Sequence, residues 1–122
     1  MSTKEVLRKL KAKYPGAKHH KRTIVPPRKW PAFVTAAHFL MRNRTWKIIH
    51  GYVNGVGEFS GQVVPHAWLE KQGMVYDAHN EMFLTKAEFY RARGAMVDLE
   101  MAYKPAHEMM IMKGSYGPWE KV

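Results

Sequence analysis

A chain of 122 residues with 46% hydrophobic content, no cysteine and a formal charge of +10 is the size of one domain with one core. That content excludes a disordered chain, and no apolar run approaches the length of a membrane span. The lack of cysteine excludes disulfides and thiolate metal sites, and the start Met1-Ser2-Thr3-Lys4-Glu5 lacks the apolar stretch of a secretory signal; both fit a cytoplasmic protein.

In chain order, Ser2 with Glu5 forms a capping-box pattern, and Val6, Leu7 and Leu10 give an apolar helical stripe that Pro15-Gly16 ends. Residues 15–31 hold four prolines among Lys, Arg and His and read as an extended arm. Pro31 suits the first turn of a second helix, with Phe33, Val34, Ala36, Ala37, Phe39 and Leu40 as its apolar face through about Arg42. Thr45–Val53 is β-branched and aromatic and reads as a strand; Asn54–Gly61 is a Gly-rich turn region. Gln62–Glu70 and Met74–Asp77 read as a hairpin joined by Lys71-Gln72-Gly73. Thr85 with Glu88 is a second capping box, opening a helix that Gly94 stops. Val97, Leu99, Met101 and Tyr103 alternate with polar or small residues, as in a half-buried strand. Lys104-Pro105 is expected to turn the chain into a Met-rich strand near Glu108–Lys113, and Gly114–Val122 has no clear period. The order predicts an α+β fold: N-terminal helices followed by a mainly antiparallel sheet.

The charge divides the chain in two. Residues 1–31 carry ten Lys and Arg against one acid, whereas residues 32–122 carry ten against nine. A basic helix-and-arm segment (1–31) on a nearly neutral domain (32–122) predicts an anionic partner, either nucleic acid or an acidic protein surface. Lys9, Lys11, Lys13, Lys18, Lys21, Arg22, Arg28 and Lys29 are the candidate contacts. A solvated segment that aids solubility is the plainer reading. Trp30 and Trp119 invite base stacking, but no RNP, KH or zinc-finger signature accompanies them.

The chemistry concentrates in the hairpin. Alternation puts His66, Trp68 and Glu70 on one face of its first strand, and the return strand brings Asp77 level with His66. A carboxylate beside an imidazole fixes its tautomer and stabilises the imidazolium, as a general base requires. The plainer readings are a strand histidine satisfied by a hydrogen bond, a core Trp68 and a Glu70 exposed at its strand end. His19-His20, His38, His50 and His79 show no recognised ligand spacing, so neither a metal nor another cofactor is expected.

A helix followed by Gly51-Tyr52, then His66-Ala67-Trp68-Leu69-Glu70 and Gly73-x-Val75-x-Asp77 resembles the papain-like and transglutaminase-like cysteine hydrolase superfamily. Within it, the likeness is to small proteins of bacteria and phages that start their helix with Cys-Phe-x-Asn-Ala. The resemblance covers residues 30–80. It implies a papain-like topology and a Cys–His–Asp trio acting on a protein or peptide by thiol-dependent amide hydrolysis or acyl transfer. His66 and Asp77 match the last two members. Aligning Phe33 and Ala36 with the family's Phe and Ala puts Ala32 at the nucleophile position, in the first helical turn and facing His66. Trp30, Thr35 and Trp68 would then stand along the site wall.

Alanine has no nucleophilic atom, so the chain as written is expected to be inert in that chemistry. Three explanations stand beside one another: a natural pseudoenzyme, an engineered Cys-to-Ala change, or recruitment of the Thr35 hydroxyl. The alternative class is a non-enzymatic binding protein that uses its basic segment, in the host cytoplasm if it is phage-encoded. The codon at position 32 in the native gene separates the two classes.

Overall fold

A computed structural model describes residues 31–119; the basic segment, apart from Pro31, lies outside them. The first element, α1, spans Pro31–Arg42 and buries Ala32, Phe33, Ala36, Ala37 and Leu40. Strand β1 (Lys47–Asn54) follows, then a 3-10 turn at Gly57–Phe59 and strand β2 (Val63–Lys71). Residues Gln72 and Gly73, both at positive φ (49° and 78°), turn the chain into β3 (Met74–Asp77), the backbone that a two-residue hairpin with right-handed twist requires. Strand β4 (Met82–Thr85) leads into α2 (Lys86–Arg93), and β5 (Met96–Ala102) leads into α3 (Tyr103–Lys113).

The five strands form one sheet in the order β4-β3-β2-β1-β5, and every neighbouring pair is antiparallel. The protein is therefore α+β. The sheet separates two cores. On one face Ile48, Ala67 and Leu69 pack beneath α1 and α3 through Phe33, Ala37, Leu40, Ala106 and Met109. On the other, Ile49, Val53, Trp68 and Val75 pack with Phe89 of α2. Alternation along β2 sends successive residues to opposite cores, which is why the whole strand through Glu70 is buried.

Local signals set the boundaries of α2. Thr85 accepts the Glu88 N–H while the Glu88 side chain accepts the Thr85 N–H, and Gly94 closes the helix in the left-handed conformation at φ 56°.

Two expectations are corrected here. The segment read as a Met-rich strand is the second half of helix α3. Pro105 lies in its first turn, where no intrahelical N–H is needed. Ala106, Met109 and Met110 then fall at i, i+3 and i+4, so all three are buried on one side. Gly114, at φ 63°, donates its N–H to the Met110 carbonyl and ends the helix. The four-residue β4 is an addition: it is an edge strand whose exposed Met82 and Phe83 break the alternation that marks a strand.

Candidate functional site

Strand β3 pairs with β2 only from Leu69 to Lys71, so among the described residues no strand lies beside the first half of β2 on that side. The gap is a cavity of ≈340 Å³ whose wall includes Pro31 and Ala32 of α1, Val64 and His66 of β2, Phe59 of the 3-10 turn, His79 and Asn80 after β3, and Arg93 of α2. The first turn of α1 and His66, far apart in sequence, thus face one space. Ala32 itself is buried.

The imidazole is held from behind. His66 Nε2 lies 3.0 Å from Asp77 Oδ1, and both residues are buried. Their proximity follows from register: with Leu69 opposite Tyr76, Asp77 stands across from Trp68 on the face that also holds His66. The Asn80 amide donates to Asp77 Oδ2 at 2.8 Å and its backbone N–H to Oδ1 at 3.4 Å. Burial alone would raise the Asp77 pKa, but the hydrogen bond and charge of His66 and the two Asn80 bonds together hold it below the usual carboxylate range. An ionised carboxylate only accepts hydrogen bonds, so the proton between the two groups sits on His66 Nε2. Among the described residues nothing donates to Nδ1. The Trp68 ring lies against the imidazole, its centroid 6.2 Å away and 25° from parallel.

Arg93 completes the cluster. Its Nη1 is 3.7 Å from Asp77 Oδ2 and its Nη2 donates to the Asn54 carbonyl at 3.2 Å. Burial pulls its pKa down, against the opposing pull of Asp77.

The other residues singled out from sequence take different places. Thr35 is exposed, and its hydroxyl donates back along α1 to the Pro31 and Ala32 carbonyls, at 3.1 and 3.2 Å. Trp68 is fully buried in the core below His66 rather than along the cavity. Glu70, for which exposure at its strand end is the plainer reading of the sequence, is buried: it accepts the Trp68 indole N–H at 2.9 Å and the Tyr90 hydroxyl, and pairs with Lys86 at 3.2 Å. Trp119 is a core residue whose indole donates to the Ser115 carbonyl. Trp30 and the basic side chains Lys9, Lys11, Lys13, Lys18, Lys21, Arg22, Arg28 and Lys29 lie outside the described residues. Among the described residues no three His, Asp or Glu side chains cluster to hold a metal ion, and no helix is long and apolar enough to cross a membrane.

Sequence reasoning passed over Asn80 and Arg93. The Asp77-x-x-Asn80 spacing is a turn signal that pointed to the first. Nothing local marks Arg93, which reaches the site only because α2 packs across the sheet. Compared with protein-family models, with curated proteins and with solved structures, the chain matches none.

Proposed function

We propose that this domain carries the scaffold of a papain-like or transglutaminase-like amide hydrolase or acyltransferase, with Ala32 in the nucleophile's place, and that as written it binds an acyl or peptide group without cleaving it. The observation that carries the reading is the shared cavity: a residue in the first turn of a helix faces the same space as a histidine whose far nitrogen is held by a buried aspartate. In the ancestral chemistry a thiol at position 32 would give its proton to His66 Nδ1, helped by the partial positive charge of the α1 N-terminus. The thiolate would add to a carbonyl carbon, the imidazolium would return the proton to the departing amine, and water or a second amine would release the acyl group.

Ala32→Cys tests this. Its thiol should react with iodoacetamide at neutral pH at least about tenfold faster than a free cysteine, and His66→Ala in that background should remove the gain. An ordinary, His66-independent rate would favour the second reading, a binding protein whose basic residues 1–31 hold nucleic acid or an acidic surface. That reading draws on the concentration of ten cationic side chains in the first quarter of the chain.

A further inference from the structure

Asp77 is the carboxylate at the centre of the site, and three residues draw on it. His66 at 3.0 Å and Asn80 at 2.8 Å hold it closely, while Arg93 stands off at 3.7 Å. A guanidinium has five N–H donors. One of those on Arg93 reaches the Asn54 carbonyl, and among the described residues the buried Nε–H has no acceptor. A cation so incompletely paired is costly away from water unless something else accepts from it. Its side chain retains 18% exposure and lines the cavity it shares with His66.

We infer that the cavity takes a carboxylate-bearing peptide or acyl compound, with the carboxylate on Arg93 and the apolar part against Val56, Phe59 and Val64. The inference rests on the cavity being the acyl site proposed above, and names the class of ligand it selects. Three features agree on a singly charged, planar anion. The guanidinium fork matches a carboxylate in geometry. The first turn of α1 brings a partial positive charge to the same wall. Glu58, also on the wall, repels any anion, and a phosphate dianion more than a singly charged carboxylate. The carboxylate has two sources, a peptide C-terminus or an acidic side chain beside the held carbonyl, and Arg93 would recognise either.

The test uses the full chain and three probes: N-acetyl-dialanine, its C-terminal amide, and N-acetyl-glutamyl-alaninamide. Binding is followed by NMR titration of the Arg93 Nε–H and His66 ring signals. At least one acid should bind about tenfold or more tightly than the neutral amide, and which acid does so identifies the source. Arg93→Gln should abolish the preference. Arg93→Lys, which keeps the charge and loses the fork, should reduce it several-fold and serves where the glutamine variant does not fold. Equal binding of acids and amide, no saturable binding of any acid, or a preference unchanged in either folded variant overturns the inference. Those outcomes leave the Ala32→Cys thiol result untouched. Conversely, an ordinary thiol with an intact acid preference removes the catalytic ancestry and keeps the carboxylate site.

Discussion

Two buried histidines sit on adjacent strands and face opposite cores: His50 opposite Ala67, and His66 opposite Gly51. His66 has a carboxylate at 3.0 Å and a cavity in front of it. His50 has neither. Its ring packs edge-on against Phe33 at 4.7 Å and beside Trp119 at 4.6 Å, and among the described residues neither nitrogen has a partner. Burial pushes its pKa down to about 3, so it is a neutral packing group at any physiological pH. The tail seals it: a side chain at Gly117, which has φ 105°, would begin 2.5 Å from the His50 ring. Burial makes a histidine inert. His66 differs from His50 in having a buried carboxylate at hydrogen-bonding distance and a place on the cavity wall.

The largest break in this comparison is Asp77→Ala. It removes the acceptor shared by His66, Asn80 and Arg93, leaving the buried His66 and the partly buried Arg93 without it, and should cost about 3–5 kcal/mol of folding stability by urea unfolding. In the Ala32→Cys background it should also abolish the enhanced iodoacetamide rate. A loss below about 1 kcal/mol would mean that the cluster contributes nothing net to folding.

The second prediction separates the histidines by pH. A histidine with a lowered folded pKa binds its proton more readily unfolded, so its contribution is present above the unfolded value of 6.5 and is lost as pH falls toward about 3. Between pH 7 and pH 5 the protein should lose about 2 kcal/mol on this account, and His50→Leu should flatten that slope. Asp77, with its pKa lowered, adds a separate loss confined to pH values below the ordinary carboxylate range, and His50→Leu should leave it in place. An unchanged slope between pH 7 and pH 5 in His50→Leu would show that the ring takes up its proton without disturbing the fold.

Thr35→Val gives the smallest effect. Among the described residues its hydroxyl bonds only within its own helix, so the change should move stability by within about 0.5 kcal/mol and leave the thiol rate of Ala32→Cys unaltered. A large fall in that rate would return Thr35 to the site.

Much of this was legible in the chain itself. Pro31, the Thr85–Glu88 box, Gly94 and the Gln72-Gly73 turn are local signals that act over a few residues, and each stands at the boundary it marks. Period-two alternation put His66, Trp68 and Glu70 on one face, and the tight turn set the register that brings Asp77 to His66. Tertiary packing decided the rest. Met109 and Met110 suit helix or strand, and helix α3 is the form that buries them together with Ala106 against α1. Glu70 stays buried because Trp68, Tyr90 and Lys86 converge on its carboxylate from two elements. Arg93 enters the site because α2 crosses the face of the sheet that carries Asp77. Short-range hydrogen bonding and side-chain period can be read within a window of residues; which distant side chains share a carboxylate depends on how the elements pack.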